Sequence, residues 1–228
     1  KRNQRYKRIT QKGEVRWPGS PRDYELTAWR GEYIRSRGCT IDAKALGMLT
    51  DHLGTDIAKI SNELDKLLTY LPEGTTRITA QDIENNIGIS KDFNNFELTR
   101  AISDKNMSRA MLIADHFCHN PKDNPLTVTI SALFTHFQRI FIVNYKRWEA
   151  KHKNTQMPSD AELSTLLKLP SPFFLAEYKQ AASLYPNRKV FNILGLLREY
   201  DMRSKGIRGD SSDDGELLRE LLLKIFLE

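Results

Sequence analysis

Cysteine is nearly absent: Cys39 and Cys118 are the only two in 228 residues. Two cysteines cannot build a disulfide framework, so reduced thiols in the cytoplasm are expected. No run of about 18 apolar residues occurs, which predicts no membrane span. The common catalytic signatures are missing as well. There is no Gly-x-x-x-x-Gly-Lys-Ser/Thr loop to cradle a nucleoside triphosphate, no Gly-x-Ser-x-Gly turn to present a serine, and no His-Glu-x-x-His pair to hold zinc. The chain starts at Lys1-Arg2-Asn3-Gln4 with neither an initiator methionine nor a secretory signal, so a fragment with an earlier portion removed is expected.

Charge is in excess at one end. Residues 1–37 hold eleven Lys/Arg against Glu14, Asp23, Glu25 and Glu32, while the whole chain carries a formal net charge of +6. The basic character therefore belongs to the opening segment. Such a segment can face phosphates, with Lys7, Arg8 and Lys12 as the nucleic-acid-facing candidates. The alternative is a solvated surface that keeps the chain in solution. With 39% hydrophobic and 28% charged residues, the rest has the composition of a globular protein.

Helical periodicity runs through nearly everything after Asp23. Residues 1–23 differ: a basic helix tail ends near Gly13, and Glu14-Val15-Arg16-Trp17 alternates like a strand. They read as the α/β remnant of a preceding domain. Leu26, Trp29, Tyr33 and Ile34 form the stripe of a first helix ending near Gly38. Asp42 caps a second, with Ala45, Leu46, Leu49 and Leu53 inward and Gly54 as its stop. A third begins at Thr55 or Asp56 and places Ile57, Ile60, Leu64, Leu67, Leu68 and Leu71 on one face, with Lys59 and Glu63 paired on the other, before Pro72. Thr79-Ala80-Gln81-Asp82 resembles a capping box that opens a short helix ended by Gly88. Residues 24–90 thus make a small helical bundle, and 89–95 is a hinge candidate.

Longer helices follow over 91–228. The stripe Leu126, Ile130, Leu133, Phe134, Phe137, Ile140, Phe141 and Trp148 predicts one helix from Pro125, at its first position, to Lys151, about 40 Å long. Its aromatics could stack on bases, but their place on the apolar stripe predicts core packing. Ser159 opens a capping box with Glu162 before Leu163, Leu166 and Leu167; Ser171-Pro172 starts the next helix; Asn187 caps another bearing Val190, Phe191, Leu194, Leu197 and Tyr200. Asp213 or Asp214 begins the last, whose density of leucine suits either a core or a contact with another chain. Leu217, Leu218, Leu221, Leu222 and Phe226 are its candidate partner-binding residues.

Clusters with apparent chemistry are weak. Asp115, His116 and His119 lack the further donors that zinc needs, and His119 at a helix end suits the last carbonyls. Asp210, Asp213 and Asp214 lack the ligand order of a calcium loop, and helix capping accounts for them. No Asp or Glu sits in an apolar run that would raise its pKa. No metal, cofactor or catalytic residue is expected.

A family resemblance enters on particular residues. Ile41-Asp42-Ala43-Lys44-Ala45, Leu49, His52-Leu53-Gly54-Thr55-Asp56-Ile57 and Ile60-Ser61-Asn62-Glu63-Leu64-Asp65-Lys66-Leu67 resemble the second domain of the bacterial DNA polymerase III delta subunit. Ile78-Thr79-Ala80-Gln81-Asp82-Ile83 and Asn95-Phe96-Glu97-Leu98-Thr99-Arg100-Ala101-Ile102 continue the likeness in order. Over 40–102 it rests on residues; beyond, on helix length and number. Ser36-Arg37-Gly38-Cys39 only superficially resembles the arginine-finger motif of clamp-loader ATPases, since a glycine is inserted at a helix end. The resemblance implies an all-α fold with a lid-like bundle (24–90) followed by a collar domain (91–228), after the last part of an ATPase-like domain (1–23). It implies a non-catalytic subunit of the replicative clamp loader within the polymerase holoenzyme. Its partners would be loader subunits of the tau/gamma and delta-prime types. The sliding clamp would be met only through the missing first domain, and DNA indirectly, within the assembled loader. The alternative is a free-standing helical nucleic-acid binder that uses the basic opening segment.

Overall fold

The structure, a computed structural model, describes residues 32–53, 57–72, 74–153, 155–169, 171–207 and 213–228. The basic opening segment, the proposed remnant at 1–23 and the candidates Lys7, Arg8 and Lys12 lie outside them. The described residues are overwhelmingly helical. Ten α-helices run in chain order: α1 Ala43–Leu53, α2 Ile57–Tyr70, α3 Ala80–Ile87, α4 Asn95–Ser103, α5 Met107–His119, α6 Leu126–His152, α7 Asp160–Leu166, α8 Leu175–Leu184, α9 Asn187–Ser204 and α10 Asp214–Leu227. A helical stretch at 32–36 precedes them.

One feature the periodicity missed is a two-residue parallel ladder, β1 Thr40–Ile41 paired with β2 Arg77–Ile78. Two residues are too few for an alternating pattern to register. The ladder ties the start of α1 to the start of α3, and Arg77 Nε donates to Asp42 Oδ1 at 2.6 Å across it.

Local signals place the helix ends. Thr79 accepts from the Asp82 N–H while the Asp82 carboxylate accepts from the Thr79 N–H, a complete capping box. Ser159 and Glu162 form the second. Gly88 ends α3 at φ +77°, a left-handed conformation that costs a side-chain-free residue little. Asn187 does not cap α9. Pro186 holds that position, its fixed φ suiting an entry to a helix, and Asn187 becomes the first helical residue. Pro125 likewise stands one place earlier than expected, with its carbonyl accepting from Val128 and Thr129.

Buried side chains fall into two clusters. The smaller gathers Ile34, Ala45, Met48, Leu49, Leu53, Leu64, Leu67, Ile78, Ile83 and Ile89. The side chains of Ile57, Lys59 and Ile60 lie outside the described residues, and Glu63 pairs with Lys66 at 3.0 Å. The larger cluster is built from α4 to α10. Between the two, a Cβ on Gly47 would stand 3.2 Å from the Phe96 ring, so glycine permits that close approach of α1 to α4. Lys44 Nζ lies 2.8 Å from Glu97 Oε1 beside it. The hinge candidate at 89–95 is well tied: Ser90 Oγ accepts from the N–H groups of Asp92 and Phe93, Glu84 accepts from the Lys91 N–H, and Arg109 donates to the Asp92 carbonyl.

The 27-residue α6 is the axis of the larger cluster. Its inner stripe is Leu126, Thr129, Ile130, Leu133, His136, Phe137, Ile140 and Val143. A flank of polar residues catches the ends of neighbouring helices. Arg139 donates to the carbonyls of Leu167 and Lys168 just past α7 and to the Tyr178 hydroxyl. Arg147 donates to the Lys179 carbonyl, and Asn144 to that of Tyr185. The carbonyls of Leu167, Lys168 and Tyr185, past the helix ends, gain partners that helix geometry denies them. By length and composition α6 could cross a membrane, yet 44% of its most apolar stretch is buried inside this protein.

Candidate interaction surface

Among the described residues one group looks like a reaction centre. Ser103 on α4, His136 on α6 and Glu177 on α8 converge, with Ser103 Oγ 3.1 Å from His136 Nε2 and donating to Glu177 Oε1 at 3.3 Å. Sequence reading missed it because the three residues come from three helices. The order of contacts is wrong for nucleophilic catalysis, where the carboxylate orients the base and the base faces the nucleophile. Here serine sits in the middle, and His136 Nδ1 has no partner. Ser103 is 1% exposed and His136 2%, so no substrate carbonyl reaches the hydroxyl. Since Ser103 donates to Glu177, its lone pairs are left to accept from a protonated Nε2, and the orphan is a bare Nδ1 acceptor, rather than the costlier unpaired N–H. Burial, with the Arg139 charge adding to it, lowers the His136 pKa to about 3 and keeps the ring neutral. Burial also raises the pKa of Glu177, against the expectation that no carboxyl would be so perturbed. It is a packed polar node, not an active site.

The other sequence candidates disperse. Asp115 pairs with Arg219 at 2.7 Å, His116 stacks on Phe93 at 4.6 Å, and His119 Nδ1 lies 2.7 Å from the Asp115 carbonyl. No group of three or more His, Cys, Asp or Glu able to hold a metal occurs among the described residues. Arg37, from the arginine-finger-like tract, pairs with Asp65 and reaches the Tyr33 hydroxyl. Asp213 caps α10 through the Gly215 N–H, while Asp210 lies outside the described residues.

The leucines of α10 are inside. Leu217, Leu218, Leu221 and Leu222 are between 0 and 3% exposed, packed in the chain's own larger core, with Phe226 partly buried against it. What α10 leaves outside is Leu223, 39% exposed, and Leu227, 85% exposed.

The surplus apolar surface sits instead on α6. Phe134 and Trp148, expected inward, are 45% and 46% exposed, and Phe191 on α9, also expected inward, is 60% exposed. The stripe was read two positions too wide: His136 and Val143 lie on the inner face, and Phe134 and Trp148 lie outside it. Outside, the rings form a continuous ladder. Phe141 stacks on Tyr145 at 6.3 Å, Tyr145 on Trp148 at 6.0 Å, and Trp148 on His152 at 4.9 Å, all within 30° of parallel. Phe191 meets Phe141 edge-on at 5.1 Å, joining α9 to the ladder. Exposed aromatic surface of this continuity marks interaction sites more often than idle surface.

Fold and surface together define an all-α protein whose conspicuous outward feature among the described residues is a run of exposed aromatic side chains. No protein-family model matches the chain, and no curated protein matches it significantly. Among solved structures the chain is similar to the DNA clamp loader delta protein (YqeN) of Bacillus subtilis, with a TM-score of 0.56 and 18% identity. The match covers 97% of this chain and 61% of that one, so the chain shares the fold of that protein over about three-fifths of its length.

Proposed function

We propose that the chain is the non-catalytic, C-terminal portion of a delta-type clamp-loader subunit that acts in DNA replication. The carrying observation is the fold match over 97% of the chain. The resemblance of residues 40–102 to the delta family supports it independently of the fold. The split of buried side chains into a 34–89 cluster and a 98–225 cluster supports a lid-like domain at 24–90 and a collar domain at 91–228. In this reading the protein works in the cytoplasm, and the collar domain joins subunits of the tau/gamma and delta-prime types. The sliding clamp is met by a part of the subunit that this chain does not span, and DNA is met indirectly. Leu217, Leu218, Leu221, Leu222 and Phe226 then serve assembly by holding the collar domain together, while the exposed seam on α6 makes the contact. The test is co-elution of the chain with purified clamp-loader ATPase subunits in size-exclusion chromatography. A stable complex supports the assignment; a folded chain that elutes alone overturns it. The nucleic-acid-binder alternative rests on Lys7, Arg8 and Lys12, outside the described residues, and gains no support from the fold.

A further inference from the structure

The outer face of α6 has a regular spacing. Phe134, Gln138, Phe141, Tyr145, Trp148 and His152 follow one another at alternating intervals of four and three, an average of 3.6 residues. That average matches one α-helical turn and so gives a straight seam, and alternating steps of four and three are the spacing by which two helices keep contact over several turns. The seam runs for about 27 Å at 1.5 Å per residue. It runs beside the inner stripe, with Phe141 partly buried against the core, while Arg139, Asn144 and Arg147 are already engaged with carbonyls in α8 and just past α7 and α8.

We infer that this seam receives a helix of another polypeptide, one whose apolar stripe is bordered by carboxylates. The inference rests on the assembly reading above and names the chemistry of the partner that reading leaves open. Two observations choose the occupant. First, neighbouring rings of the ladder stand 4.9 to 6.3 Å apart and within 30° of parallel, too close for a base to slide between them. Bases bind through open ring faces. Ring edges separated by grooves suit the knobs of a helix. Second, the borders are basic. Apart from Arg147, which is turned to α8, residues 144–153 carry Lys146, Lys151 and Lys153 against Glu149 alone, and residues 187–198 carry Arg188, Lys189 and Arg198 with no acid. Lys146 and Lys153 share Glu149 at 2.7 and 3.2 Å, which leaves net positive charge there. The Glu228 carboxylate, held by Asn192 at 3.0 Å, offsets one charge on the α9 side. A second copy of this chain would bring the same positive borders and be repelled; a helix with acidic borders is attracted.

The experiment uses the whole chain labelled with 5-fluorotryptophan, the Trp148 fluorine signal being assigned by its loss in Trp148→Phe. Three probes are titrated: a four-heptad helical peptide with leucine along its stripe and glutamate on its borders, the same peptide with lysine on its borders, and an oligothymidine strand. The glutamate peptide shifts the Trp148 signal, its affinity falls about tenfold from low to physiological salt, and Trp148→Ser abolishes binding while lowering the melting temperature by only about 2–4 °C. No shift with the glutamate peptide, equal binding of the lysine peptide, a larger response to oligothymidine, or self-association through Trp148 overturns the inference. Loader subunits that co-elute with Trp148→Ser as well as with the unaltered chain overturn the seam and leave the loader assignment standing. A chain that binds the glutamate peptide through Trp148 but no loader subunit overturns the loader assignment alone.

Discussion

Two helices of the larger core invite the same reading from sequence and earn opposite ones from structure. α10 is dense in leucine and α6 dense in aromatics, and both are apolar over more than one stripe. Yet α10 spends Leu217, Leu218, Leu221, Leu222 and Ile225 on the chain's own core, while α6 buries one stripe and leaves Phe134, Tyr145 and Trp148 between 37 and 46% exposed. The difference is one of neighbours. α10 packs against α5, α9 and α6, so few directions remain open. α6 packs against α9, α8, α4 and α10, but it is 27 residues long, and Phe134, Tyr145 and Trp148 lie beyond what those neighbours cover. An excess of apolar residues says that a helix needs company; only the tertiary arrangement says whether this chain supplies it.

The sharpest way to break that comparison is to shorten side chains on its two sides. On α6, Phe137→Ala removes a ring that is 0% exposed and T-stacked on Tyr185 at 5.4 Å. A loss of about 3–5 kcal/mol in urea unfolding is expected. On α10, Leu222→Ala should lose about 2–5 kcal/mol, because a fully buried leucine leaves a cavity. Leu223→Ala, the adjacent exposed position, should stay within about 0.5 kcal/mol. If Leu222→Ala left the isolated chain unchanged and only weakened a complex, α10 would be the contact helix after all.

The inner stripe of α6 also carries a titratable group, and its behaviour sharpens the contrast between the two faces. The His136 pKa in the fold is about 3, below its ordinary 6.5. The unfolded chain therefore binds the proton more tightly between those values. The stability that neutral His136 contributes is complete above pH 6.5 and is lost on acidification toward 3, at about 1.4 kcal/mol per pH unit. Glu177 acts in the opposite sense: its raised pKa makes the folded state the better proton binder, so its contribution is present at low pH and lost as pH rises through the folded value. Urea melts of His136→Gln across this range should lose the acid-side slope. If the slope survives, acid sensitivity lies elsewhere.

The fold was largely legible, and the seam was not. Both capping boxes, at Thr79–Asp82 and Ser159–Glu162, were readable because their partners stand three residues apart. The left-handed stop at Gly88 was readable for a similarly local reason. The polar node of Ser103, His136 and Glu177 was invisible: its members are 33 and 74 residues apart from Ser103. The seam failed for a subtler reason. An apolar stripe two positions too wide on a helix spans more than one face, and periodicity alone cannot divide inner from outer rings. His136 could have signalled the division, since the same face at seven-residue spacing also holds Thr129, and both are buried polar side chains on the core side. In aromatic-rich helices, a polar residue is no sure marker of the wet face.

The smallest expected effect tests the comparison most directly. Trp148→Ala removes the largest side chain of the ladder, which at 46% exposure is already half hydrated. Its losses are the stacks on Tyr145 and His152, and together with the covered half of the indole they should cost about 1 kcal/mol, well below the value for Phe137 eleven residues away. Paired urea melts of the two variants measure this. If Trp148→Ala proved as damaging as Phe137→Ala, the outer seam would be core by energetic standards, and α6 would no longer differ from α10. If it is as mild as expected, the indole is held in place by its neighbours but not needed by the fold, which is the condition under which a side chain is free to serve another molecule.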